Sequence, residues 1–115
     1  MKVLKTSDIE AKERVSGLFK GHVTVQPVLD SDDSNLRTNL INFHKGAVNV
    51  FHTHDFDQVL YVTSGEGIIA SETEEIRITP GTFVVIPAGE KHWHGATPDS
   101  EFSHIAISIR GKTSF

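Results

Sequence analysis

The sequence predicts an all-β protein, and three observations carry that prediction. First, short strand-like segments follow one another at regular spacing. Second, Gly, Pro, Ser and Asp pairs such as "PG" at 80–81 and "PAGE" at 87–90 separate them. Third, no segment longer than a turn or two has the period of an amphipathic helix. Many short strands with turn signals between them read as a β-sandwich or barrel.

Taken in order, the N-terminal arm, residues 1–20, holds the one possible helical stretch, 6–15. "SDIE" there resembles a capping box, and one short turn is expected. "HVTVQPVL" (22–29) alternates as a strand, and "DSDDSN" (30–35) is a polar loop. "LRTNLINFH" (36–44) is a second strand, turned by "KG". Strands are then expected over 47–54, 58–65, 66–72, 75–79, 82–87, 91–97 and 101–110. Val59 and Tyr61 fall on one side of their strand, Leu60 and Val62 on the other. Phe83 and Val85 oppose Val84 and Ile86 in the same way. A strand with one wet face alternates apolar and polar residues, so these need cover on both faces. A barrel interior can cover one. A second sheet, the arm or a second subunit must cover the other.

Composition bounds the function. The chain has 115 residues, 37% hydrophobic and 23% charged, with a formal net charge of −4. That is one domain, 1–115, with the barrel core expected over 36–110. The absence of a basic cluster argues against nucleic acid and anionic membrane as partners. There is no cysteine, which removes disulfides, thiolate metal sites and cysteine nucleophiles. The charged N-terminus and the lack of a long apolar run point to a cytoplasmic protein.

The segment "FHTHDFDQVLYV" (51–62) interrupts an apolar pattern with polar groups. His52 and His54 project to the same face of a strand, and Gln58 shares their parity unless a turn at 55–57 resets it. Two such imidazoles can reach one metal ion about 2 Å away; alternatively they are a surface pair. Histidines recur at 92, 94 and 104. The spacing is then informative: Gly46, five residues, His52-Thr53-His54, three residues, Gln58, six residues, Gly65. A second block runs Gly81, five residues, Pro87-Ala88-Gly89, two residues, His92.

These blocks resemble the two motifs of the cupin superfamily, in which the first supplies HxH plus Glu or Gln and the second a further His. The resemblance implies a double-stranded β-helix, a jelly-roll barrel of two antiparallel sheets closing around a metal. Gln58 stands where many members carry Glu. The exchange removes one negative charge from the ligand set, and an ion there acts as a stronger Lewis acid. Gln58 is either a ligand or a hydrogen-bond partner that orients a histidine. Ala96 replaces an Asn that is usually structural.

A narrower resemblance runs from about Leu18 to Ile109. "FHTHDFDQVLYVTSGEGI" and "PGTFVVIPAGEKHWHGATP" are similar to small single-domain bacterial cupins. Many of these are labelled carboxymuconolactone decarboxylase-like, and some act as manganese-dependent hydroxynitrile lyases. It implies His52, His54, Gln58 and His92 as metal ligands and His104 as a catalytic base lining the cavity. Asn39, Ile41 and Ser108 fall in the implied pocket. Asn39 and Ser108 depart there from a small residue and a Gln in the lyases. His94 could be a fourth imidazole, a partner that orients the ligands or a proton shuttle, and of these it reads as the partner. Trp93 points the other way and reads as packing. His104 shares parity with Phe102, Ala106 and Ser108. If it faces the cavity, Ile105, Ile107 and Ile109 face outwards and need cover, which predicts a homodimer.

One divalent transition metal is expected: Mn first, with Fe, Co, Ni or Zn also suited to this donor set. The expected function is a metal-dependent lyase or isomerase acting on a hydroxyl-, carbonyl- or carboxylate-bearing small molecule. A cupin dioxygenase is the alternative. A metal- or ligand-binding module without turnover is the reading from another class.

Overall fold

The computed structural model describes residues 1–115. Its strands are β1 (Lys12–Glu13), β2 (Phe19–Lys20), β3 (Val23–Leu29), β4 (Leu36–Phe43), β5 (Val48–Asn49), β6 (Thr53–His54), β7 (Gln58–Gly65), β8 (Gly67–Ala70), β9 (Glu75–Ile78), β10 (Phe83–Ile86), β11 (Trp93–Ala96), β12 (Phe102–Ile109) and β13 (Thr113–Ser114). The helical stretch is a single 3₁₀ turn, Thr6–Asp8. Its N-cap is Lys5, which makes no side-chain cap bond, so the expected capping box is absent. No helix is long and apolar enough to cross a membrane.

Two antiparallel sheets face each other. One has the order β1-β3-β4-β12-β7-β10, the other β2-β5-β11-β8-β9, and β13 pairs with β6 in a small third sheet. This is the double-stranded β-helix. Register explains the core. Phe102 pairs with Phe43, and His104 pairs with Ile41 on one side and Val62 on the other. Directly paired residues share a face. These inward rows, with Val23, Leu60, Ile78 and Ala96, form the buried interior.

The other face of the six-stranded sheet is also apolar. Leu40 pairs with Ile105, Ile105 with Tyr61, and Tyr61 with Phe83. Ile107, Val59 and Val85 make a parallel row. The arm residues Leu4, Thr6 and Ile9 form a groove with Val28, Thr38, Leu40, Thr63 and Ile105. At the β10 edge, Phe83 and Val85 stay 66% and 70% exposed.

The segment 47–54, expected as one strand, is two. The chain breaks at Val50–Phe51 and crosses from the five-stranded sheet to the pairing with β13. The break lets the Val50 carbonyl turn to accept a hydrogen bond from the His52 ring, 2.7 Å away.

Candidate metal centre

Two sequence-distant blocks meet at one bridge. The His52 backbone N–H donates to the His92 carbonyl (2.9 Å), and the His92 N–H donates back to the His52 carbonyl (3.1 Å). That reciprocal pair puts two imidazoles side by side, their ring centroids 4.2 Å apart. His54 lies 4.9 Å from His52 and 5.2 Å from His92 by the same measure. One ring nitrogen from each of the three lies within 4.8 Å of the others.

For His52 and His92 the outer nitrogen fixes the tautomer. His52 Nδ1–H donates to the carbonyl of Val50, and His92 Nδ1–H to that of Glu90 at 2.8 Å; each acceptor sits two residues before its histidine. His54 Nδ1 meets Thr113 Oγ1 at 2.8 Å. With Nδ1 protonated, Nε2 carries the lone pair. Nε2 of His54 and of His92 are buried without any hydrogen-bond partner, and so is Gln58 Oε1. A buried acceptor without a donor is costly, so three of them in one site fit a cation.

Burial also keeps the rings neutral. Loss of water lowers His52 to about 4, opposed by the Val50 carbonyl and reinforced by His92 and His54. His54 falls to about 4, again through burial first and then the neighbouring His92, with Gln58 and Asp55 opposing. His92 is lowered by the same loss of solvent. Neutral imidazole is the form that binds a metal.

Behind the three rings lies a second histidine pair. His94 packs 5.7 Å from His52 and 5.8 Å from His92 by ring centroid. The His94 backbone N–H donates to Asn49 Oδ1 (2.8 Å). The Asn49 amide Nδ2 lies against the same imidazole, 3.2 Å from Nε2 and 3.5 Å from Nδ1. His94 Nδ1 lies 3.1 Å from His104 Nε2, so one of the two rings donates to the other. His104 is fully buried between Phe43 and Phe102, and its Nδ1 has no partner. Burial pushes His104 down to about 3 and His94 well below the ordinary histidine value. His104 faces the interior but touches the three-imidazole group only through His94.

The pocket residues separate. Asn39 and Ser108 line a cleft at the barrel end with Arg37, Phe56 and Arg110. Phe56 stacks on His54 at 4.7 Å, so this cleft lies against one imidazole. Ile41 lies deeper, beside His104. Trp93 lines a shallow depression with Val48 and Phe51, away from the imidazoles. Two contributors escaped the sequence reading. Asn49 carries no motif signal, although it lies on β5, three residues before the HxH block. Thr113 lies beyond both motifs, and no local pattern marks it.

Comparison with known proteins adds four relatives and a family model. The chain is 38% identical over 94 residues to an (R)-mandelonitrile lyase of Granulicella tundricola, covering 80% of this chain and 72% of that one. It is 29% identical over 96 residues to an acireductone dioxygenase of Bacillus cereus, spanning only 52% of that protein. A cupin-like protein from Thermotoga maritima superposes with a TM-score of 0.87 at 31% identity, over 92% of this chain and 85% of the other. A polyketide cyclase from Streptomyces resistomycificus shares the fold at a TM-score of 0.90 and 18% identity, covering 99% and 84% of the two chains. The cupin domain model matches residues 39–108, the stretch that holds both histidine blocks and both inward-facing strands behind them. Barrel, paired blocks and relatives agree, and the chain belongs to the cupin family.

Proposed function

We propose that this chain is a metal-dependent enzyme, a lyase or isomerase of small molecules that carry a hydroxyl, carbonyl or carboxylate. One observation carries the reading: buried, unpartnered acceptors of His54, His92 and Gln58 stand together with His52 in one neutral site. His52, His54, His92 and Gln58 would hold the ion. A bound divalent ion supplies Lewis acidity, drawing negative charge onto a substrate oxygen. Mn is named first, by the resemblance of the motifs; Fe, Co, Ni and Zn suit the same donors.

The chain's own residues do the rest. Phe56 and the barrel wall limit water at the imidazoles. Asn39 and Ser108 present hydrogen-bonding groups at the cleft mouth. His104 serves as the base. It is in hydrogen-bond contact with His94, which packs beside His52 and His92. The relative named (R)-mandelonitrile lyase supports C–C bond cleavage with proton transfer. A second reading, dioxygenase, draws on the relatives named acireductone dioxygenase, although this chain spans about half their length. A binding module without turnover is the third.

Elemental analysis of purified protein, followed by a substrate screen with the metal found, tests this. Near-stoichiometric metal with cyanohydrin cleavage supports the lyase; oxygen uptake with an enediol supports the dioxygenase. Metal without turnover leaves the binding module, and no metal overturns the reading.

The apolar outer face of the six-stranded sheet supports a homodimer. Its two rows, with Phe83 and Val85 largely exposed, form a patch of the kind monomers seldom show. Two-fold symmetry makes one such self-complementary patch sufficient.

A further inference from the structure

We propose that residues 111–114 form a strap that sets one imidazole of the metal centre, with Thr113 as the positioning residue for His54. This rests on reading His52, His54 and His92 as metal ligands. It concerns residues outside the 39–108 matched by the family model.

The three imidazoles are not held alike. His52 and His92 are each oriented by a carbonyl two residues earlier in their own block. Those bonds are local and form with the block itself. His54 has no such local acceptor. Its Nδ1 partner, Thr113 Oγ1 at 2.8 Å, comes from 59 residues along the chain.

The strap is seated by several independent contacts. β13 pairs with β6, placing Thr113 opposite His54 and Ser114 opposite Thr53. The Asp55 N–H donates to the Lys112 carbonyl (3.1 Å), and the Lys112 N–H donates to Asp55 Oδ1 (2.7 Å). Gly111 lies so close that a Cβ there would fall 2.2 Å from Asp55 Oδ1 and 2.4 Å from the Phe56 ring. That ring stacks on His54. The same short segment therefore holds His54 at its edge through Thr113 and backs the ring that covers its face.

The consequence follows from linkage. His54 can offer Nε2 only while Nδ1 carries the proton, and in that tautomer the Thr113 hydroxyl, 2.8 Å away, is the acceptor of its hydrogen bond. Docking of the strap favours the ligating tautomer. By reciprocity, metal binding favours the docked strap.

The test uses the full chain with Mn²⁺ or Zn²⁺ alone as the probe. Thr113→Val keeps the β-branched shape and removes the hydroxyl; Thr113→Ser keeps the hydroxyl. Calorimetric titration should show Thr113→Val weakened about 10–100-fold, with Thr113→Ser within about threefold of the parent. In hydrogen exchange, Zn²⁺ should slow the amides of Asp55 and Lys112 in the parent, and less in Thr113→Val. Parent-like affinity in Thr113→Val, within about twofold, overturns the strap's role. If the parent binds neither ion, the metal reading falls, yet the strap is still decided by NMR of the metal-free protein. Long-range ¹⁵N–¹H spectra should place the His54 proton on Nδ1 in the parent and shift it towards Nε2 in Thr113→Val. An unchanged tautomer overturns the proposal.

Discussion

At the scale of single residues, the site is a balance between burial and protonation. Four of its acceptor and donor atoms, His54 Nε2, Gln58 Oε1, His92 Nε2 and His104 Nδ1, have no protein partner. Replacing His52 and His54 together by Ala should abolish bound metal in elemental analysis, because one imidazole and one amide make a poor site. Gln58→Ala should weaken binding, while Gln58→Glu should hold or tighten it by adding a negative charge. Equal affinity of the Ala variant and the parent would remove Gln58 from the site altogether. His104 gives a pH prediction for the metal-free protein. Its folded value, about 3, lies below the ordinary 6.5, so the unfolded chain binds the proton first on acidification. Stability is complete above about pH 6.5 and falls as pH drops towards 3, by up to about 1.4 kcal/mol per pH unit for one such group. Denaturation of His104→Phe between pH 6 and 4.5 should show a shallower fall, by about one proton. An identical slope would show that the site's other histidines, not His104, carry the acid response.

At the scale of elements, the turn between β7 and β8 is the least forgiving joint. Gly65 has φ +73°, and a Cβ there would lie 1.8 Å from the Glu101 carbonyl oxygen. Gly81 has a similar φ of +88° with nothing within 4 Å. Alanine at Gly81 therefore meets backbone strain alone, about 1 kcal/mol. At Gly65 it also meets backbone that cannot move without disturbing β12. Gly65→Ala should lose several kcal/mol more in thermal or urea unfolding, or fail to fold. Gly67→Ala drives its methyl to 2.4 Å from the Phe102 ring, which has no exposed surface. Overpacking of that kind costs about 1–3 kcal/mol, or very roughly 4–20 °C in Tm. Equal midpoints for the Gly65 and Gly81 variants would mean that β12 yields at Glu101.

At the scale of the whole molecule, the larger sheet keeps an apolar outer face. The arm covers the Leu40–Ile105 end and leaves the Phe83–Val85 end in water. Each large apolar side chain buried there is worth roughly 1.5–3 kcal/mol. Light scattering at micromolar concentration should give twice the 12.7 kDa chain mass. Phe83→Lys with Val85→Lys should return the single-chain mass with the fold intact by circular dichroism. A parent that already runs at one chain mass would mean that the arm suffices as cover.

The sequence by itself determined most of the strands and the two histidine blocks. Both are local patterns: alternation has period two, and the HxH and PxG–H spacings lie within a few residues of one another. Parity placed His104 and the three isoleucines on opposite faces of β12. Gln58 kept the parity of the HxH pair across the intervening turn. Other features depended on which distant segments meet. The break at Val50–Phe51 exists because a carbonyl must turn towards His52, and alternation along 47–54 carries no trace of that. Asn49 and His94 are 45 residues apart, and Thr113 and His54 are 59. Side-chain hydrogen bonds over such separations leave no periodic signature, since each partner needs only the right atom at the right end of a fold already formed. Spacing could nominate the histidines. The Thr113 partner of His54 and the contact between His94 and His104 were decided by tertiary packing, because each joins segments that meet only in the folded barrel.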